Sequence, residues 1–256
     1  KGEFWYKIYQ KIINMNIKVD LKIFLFLLLF LVTSQFNIYI LLMLFAFIHE
    51  LGHLAMGLIL GFKPKEIKVT PVGMKIEFAI KCEEYNKKIL KGNLLGIKRE
   101  IIALAGPLTN FIIVIIVSIL KNIKPELEQI SFFSITTINL QDVIYANLLI
   151  AIFNLIPIYP LDGGRIIKEI LHICIGLRKS EKYTYMISKT MIILLTAISS
   201  VVILYIRNIS ILIIVVYLWI LMIIEKRRYD TKRKIRKIQQ LQQVANRDLE
   251  KNLQIK

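Results

Sequence analysis

The chain has 256 residues, 56% of them hydrophobic, and a formal net charge of +17. The apolar share exceeds the roughly 45–50% of soluble domains and is gathered into runs such as "IFLFLLLFLVTS" (23–34), "IYILLMLFAFI" (38–48) and "SILIIVVYLWILMII" (210–224). This excludes a disordered basic chain and argues against a soluble domain.

A helix of ~20 apolar residues crosses a ~30 Å hydrocarbon core. The expected fold class is therefore an α-helical polytopic membrane protein. Six transmembrane helices are expected at about 17–35, 37–60, 101–121, 139–157, 184–206 and 208–224. In chain order, residues 1–16 read as a cytoplasmic N-terminal segment. Its positive stretch precedes an apolar run, but no small-residue cleavage site follows, so a retained segment is expected rather than a signal peptide. Spans one and two are joined only by "TSQFN" (33–37), which predicts a tight helical hairpin closed by Gly61 and Pro64.

In "KEIKVTPVGMKIEFAI" (65–80), Met74, Ile76, Phe78 and Ile80 alternate with Lys75, Glu77 and Ala79. This period of two predicts a small membrane-associated β-hairpin turning near Pro71 and Gly73. Its free edge would suit a guest strand; the pattern equally allows a plain surface hairpin. Residues 81–99 read as a charged linker. "ALAGPLTNF" (103–111) opens span three with small residues that let helices pack closely, and Asn110 reads as polar glue between helices. Residues 122–138 carry little pattern.

Span four ends in "NLIPIYPLDGGRI" (154–166), where two prolines and two glycines interrupt the helix, and an amphipathic helix follows at about 163–176. The six spans complete a membrane domain over 17–224, with 225–256 as a basic cytoplasmic tail. In the tail Ile235, Ile238, Leu241 and Ala245 suggest a short amphipathic helix.

Charge supports this topology. Of the Lys and Arg residues, ten fall in 63–99 and eleven after residue 224, while only Lys121, Lys124 and Arg207 fall in the opposite loops. Excess Lys/Arg marks the cytoplasmic side, so both termini and the two large loops are placed there. The basic flanks suit anionic lipid headgroups. With no aromatic stacking platform beside the charge, nucleic acid is not an expected partner. Cys82 and Cys174 form no disulfide framework.

The chemistry is concentrated in "FAFIHELGHLAMG" (45–57). His49 and His53 stand at i and i+4, one turn apart on one helix face, which suits two ligands of a single Zn²⁺. Glu50 is beside them, close enough to act as general base on an attacking water. Ionisable groups mid-membrane cost at least ~2.5–3.5 kcal/mol and mark functional sites. Catalytic zinc usually takes three protein ligands. His172 is the only other histidine, but it sits on the expected interfacial helix and reads as a surface imidazole. Asp162 follows the two prolines, where non-helical backbone at membrane depth implies a protein-lined cavity. From its residue type and position it is either a ligand or the N-cap of the next helix.

HELGH in an early span, AGPLTN in the next and NLIPIYPLDGG in a later one resemble the site-2 protease family (peptidase family M50) of intramembrane zinc metalloproteases, over about residues 20–225. The layout is most similar to the stage IV sporulation protein FB branch. The resemblance implies that His49, His53 and Asp162 bind one zinc and that Glu50 is the catalytic base. It implies that Asn154, Pro157 and Pro160 hold substrate near the metal, and that the hairpin around Gly73 receives substrate as an extended strand. It further implies a membrane-associated pro-sigma factor as substrate, inhibitory membrane proteins as partners, and a place in the mother-cell membrane around a forespore. Only about 32 residues follow the last span, too few for the CBS domain frequent in this branch, so nucleotide control by that route is not expected. A quality-control metalloprotease would instead take a glutamate as third ligand, with Glu169 the candidate here. A non-catalytic scaffold of the same fold is a third reading, and a transporter, without repeats or paired broken helices, a fourth.

Overall fold

Residues 36–59 carry an almost unbroken apolar run, and Phe36–Ile59 is one helix, α1. It ends at Gly61, whose φ of 87° is the left-handed conformation that commonly terminates helices. In the computed structural model, residues 16–21, 24, 36–70, 73–79, 89–124, 129–132, 136–206 and 210–254 are described.

Three strands form a sheet in the order β1 (Asn16–Val19), β2 (Lys63–Thr70), β3 (Gly73–Ala79). β1 lies parallel to β2, and β2 pairs antiparallel with β3 with Ile67 opposite Ile76. Glu66 on β2 is ion-paired to Lys18 of β1 at 3.1 Å. The first expected span therefore cannot begin at residue 17, because 16–19 are in this sheet. The rest of that span lies mostly outside the described residues. Cys82 also lies outside them, while Cys174 is a free, exposed thiol.

Helix α2 runs from Ile89 to Ile123 and continues through Pro107. It starts well before the expected 101, taking in residues expected to be linker, because Leu94, Ile97 and Ile101 recur at helical spacing. Residues 122–138, weakly patterned in sequence, contain an antiparallel pair, β4 (Gln129–Phe132) and β5 (Thr136–Asn139). Then come α3 (Leu140–Leu155), α4 (Asp162–Ile175), α5 (Leu177–Ile206) and α6 (Ser210–Gln254). α6 takes up the last apolar run and continues as one helix through most of the tail, longer than the short helix expected there.

Among the described residues three helical stretches are long and apolar enough to cross a membrane: Ile38–Ile59, Leu94–Ile123 and Lys179–Val202. The apolar α3 is shorter. Many large apolar side chains on these helices face outward, among them Ile112, Ile115, Ile119 and Ile198. Such a surface is costly in water and natural in lipid. Inside, Leu41 and Phe45 of α1 pack with Val143 and Ala146 of α3. A second cluster joins Ile158 to Ile192 of α5 and Leu218 and Met222 of α6.

Close helix approach depends on small residues. A Cβ on Gly52 would run into Thr109 of α2, and one on Gly57 into the Phe78 ring. The break between α3 and α4 is held by backbone contact. A Cβ on Gly163 would meet the Leu155 carbonyl, and one on Gly164 the Tyr159 amide. The broken segment satisfies its polar groups locally: Ile158 N donates to Ile156 O at 2.7 Å, Leu161 N to Ile158 O at 2.8 Å and Tyr159 N to Ser188 Oγ at 2.9 Å. That is the condition for irregular backbone at membrane depth. Gly163→Ala should cost about 1–3 kcal/mol through overpacking against backbone that cannot rotate away. Thermal unfolding in detergent checks this, and an unchanged melting temperature would mean the loop yields freely.

Candidate active site

α1, α2, α3 and the start of α4 bring one set of polar side chains together in an apolar surround. His49 and His53 are 3% and 2% exposed, Asp162 4%, and Asn110 and Asn147 fully buried. His49 Nε2 and His53 Nε2 lie 3.1 Å apart, and Asp162 Oδ2 is 3.0 Å from each.

The hydrogen-bond chain behind His49 fixes its tautomer. Asn147 Nδ2 donates to the Val143 carbonyl at 2.8 Å, which orients its amide. Asn147 Oδ1 then accepts from Asn110 Nδ2 at 2.9 Å. Asn110 Oδ1 is thereby turned to accept from His49 Nδ1 at 2.7 Å. His53 Nδ1 donates to the Ile102 carbonyl at 2.6 Å. Both imidazoles thus commit a proton on Nδ1, and a neutral ring then carries a lone pair on Nε2.

Three electron-rich atoms therefore converge with no proton available between them. Either a proton enters on an Nε2, placing an imidazolium in a buried site, or one metal cation satisfies all three. The Arg165 guanidinium, 3.2 Å from Asp162 Oδ1, favours the ionised carboxylate. An ionised carboxylate with two Nε2 lone pairs is a donor set suited to zinc. Bonds of ~2.0–2.1 Å to one tetrahedral ion place ligand atoms about 3.3 Å apart, close to the observed triangle. Gly106 of α2 supplies the clearance, since a Cβ there would run into both Nε2 atoms.

Asp162 is the first residue of α4, and the N-cap position is Leu161. The N-cap alternative is thus set aside: the carboxylate turns to the histidines. Its second oxygen, Oδ1, accepts from Arg165 Nη1 at 3.2 Å. Glu169 is not with the histidines. It pairs with Arg99 at 3.1 Å, and His172 Nδ1 lies 3.6 Å from its other oxygen. Glu50, the neighbour of His49, has its carboxylate near the two imidazoles. Glu50 Oε2 accepts from the backbone N–H of Ile76 on β3 at 3.2 Å.

Of the expected substrate contacts, Asn154 donates from Nδ2 to Ile150 O of its own helix at 3.0 Å. Pro157 and Pro160 are half-buried in the broken segment, and Gly73 begins β3 opposite Thr70. Asn154, Pro157 and Pro160 are not among the described residues that line the cavity beside the site. That cavity, of about 400 Å³, is bounded by Glu50, His53, Ile76, Phe78, Tyr159 and Arg165 among others. Asn147, Arg165 and Gly106 are participants that the sequence pattern did not single out. A buried Asn within an apolar helix is the one local signal that pointed toward any of them.

A family model described as peptidase family M50 matches residues 128–198, a stretch that includes Asp162 but not HELGH. In this stretch the chain resembles peptidase family M50, the site-2 proteases. It is similar to a zinc metalloprotease of Methanocaldococcus jannaschii, 33% identical over 162 residues, covering 62% of this chain and 41% of that one. It is also similar to stage IV sporulation protein FB of Bacillus subtilis, 29% identical over 137 residues, covering 54% of this chain and 41% of that one. The chain thus spans about two-fifths of the length of these curated relatives. Among solved structures it resembles a site-2 protease from Methanocaldococcus jannaschii, with a TM-score of 0.60 and 26% identity over 83% of this chain and 91% of that one. The mostly helical fold matches that architecture.

The histidine geometry yields two expectations. Asn110→Ala removes the acceptor that fixes His49 and should weaken zinc binding about 10–100-fold. Gly106→Ala fills the space between the rings and should remove stoichiometric zinc. Metal content and competition with a chelator read both. Full zinc occupancy in Gly106→Ala would refute the role given to this glycine.

Proposed function

We propose that this protein is an intramembrane zinc endopeptidase that cuts a membrane-associated substrate near the cytoplasmic face. The observation that carries the reading is the convergence of His49 Nε2, His53 Nε2 and Asp162 Oδ2, with Glu50 beside them on an open cavity. His49, His53 and Asp162 would hold the metal. When bound, zinc would supply a Lewis acid that polarises the scissile carbonyl and acidifies water.

The chain's own residues supply the rest. Glu50 takes the proton of the attacking water and passes it to the leaving amine. Asn110 and Ile102 O hold the two imidazoles by their Nδ1 protons. Arg165 occupies Asp162 Oδ1, so that Oδ2 alone faces the histidines. The substrate must unwind before its carbonyl can be attacked, since helical peptide bonds are shielded by their own hydrogen bonds. β3 borders the cavity and would repay part of that loss as a template for an added strand.

The finer reading extends the family resemblance. The substrate is the pro-form of a sporulation sigma factor, supported by the likeness to stage IV sporulation protein FB. The topology is six spans with both termini cytoplasmic, supported by the Lys/Arg distribution. Inhibitory membrane proteins would hold the enzyme off until signalled. Asn154, Pro157, Pro160 and Gly73 shape the substrate path indirectly, through the α3–α4 break and the strand pair.

Co-expression with a pro-sigma substrate tests the reading. Glu50→Gln should retain zinc and lose at least 10²–10⁴-fold in cleavage, because the donors remain and the base does not. Asp162→Ala should lose zinc and cleavage together. Undiminished cleavage by Glu50→Gln would sink the mechanism. Zinc retained in Asp162→Ala but lost in Glu169→Ala would favour the glutamate-ligand class.

A further inference from the structure

The cavity beside Glu50 has a lining of two kinds. Phe62, Ile76, Phe78, Ile102 and Ala103 form an apolar wall from the sheet side and α2. The lining also carries four cations from three helices: Arg99 of α2, Arg165 and Lys168 of α4, and Arg228 of α6. Basic flanks are ordinary on the cytoplasmic side of a membrane protein, but there they face headgroups and water. Here the Arg99 and Arg165 side chains are only 20% and 28% exposed and line a cavity.

Two of the four are already committed. Arg99 is paired with Glu169 and Arg165 with Asp162. Lys168 differs. Its Nζ lies 4.8 Å over the Tyr159 ring, and among the described residues no carboxylate stands within ion-pair distance of it. Among the described residues Arg228 pairs with Glu225, at 3.5 Å on an exposed surface, where a pair contributes little. The cavity thus combines two weakly engaged cations with an apolar lining.

We propose that this cavity selects an extended segment carrying an acidic side chain close to the scissile bond, with Lys168 and Arg228 as the specificity-determining contacts. The proposal rests on the protease reading and adds the substrate's chemistry to it. Apolar residues of the segment lie against Phe62 and Phe78, while an Asp or Glu meets the cations. A basic side chain at that place meets like charge in a partly desolvated site and is disfavoured.

The test uses the full chain, zinc-loaded, in detergent. The probe is a pool of membrane-anchored peptides with a common apolar core and randomised flanking residues. Cleaved products are sequenced by mass spectrometry. The native chain should enrich Asp or Glu near the cut on the order of tenfold over Lys or Arg, and the preference should shrink at high salt. The doubly reversed variant Lys168→Glu/Arg228→Glu should invert the preference and gain cleavage of basic-flanked peptides. A gain of this kind cannot come from misfolding. Cleavage by the native chain with no acidic preference, or a preference unmoved by the reversal, would overturn the proposal. Absence of any cleavage by zinc-loaded chain would instead count against the protease reading itself.

Discussion

Two imidazole nitrogens and a carboxylate oxygen with no proton between them repel one another, and in a low-dielectric interior that repulsion is strong. The surrounding architecture resists it. Asn147 anchors Asn110 on a backbone carbonyl, Asn110 anchors His49, and the Ile102 carbonyl anchors His53. Asp162 is tied to Arg165, and its helix is pressed against the broken segment by two glycines. The ties come from α2, α3 and α4, so the donor set on α1 and α4 exists only when all four helices are assembled.

The same economy governs the backbone. Lipid supplies no hydrogen-bond partners, so an interruption between α3 and α4 must satisfy itself. Prolines remove N–H groups that would need partners, short turns use others, and Ser188 of α5 takes the Tyr159 amide. The interruption is what lets a carboxylate at the start of α4 turn toward histidines on α1.

The pair of histidines was readable because i, i+4 spacing maps directly onto one helix face. Asp162 was readable from its residues only as one of two options, since an acidic residue opening a helix is ordinary; resemblance favoured the ligand role, and the side-chain direction agrees with it. Asn147 and Arg165 act through contacts between α2, α3 and α4, which no local pattern encodes. β1 was absorbed into an apolar run because a four-residue strand is too short for its alternation to compete. The first third of α2 resembles a linker in sequence because its charges mask the helical spacing of Leu94, Ile97 and Ile101. Asn154 illustrates the reverse case: a polar residue in a telling motif whose side chain bonds to its own helix.

The bond from Ile76 N–H to Glu50 ties the sheet to α1 at one amide proton. Ile76 sits on β3, the outer strand of the sheet on the side facing the cavity. One amide proton cannot serve two good acceptors. Any backbone carbonyl that docks on that edge opposite Ile76 competes with the Glu50 carboxylate for it. Occupation of that strand edge and release of the carboxylate would thereby be one exchange.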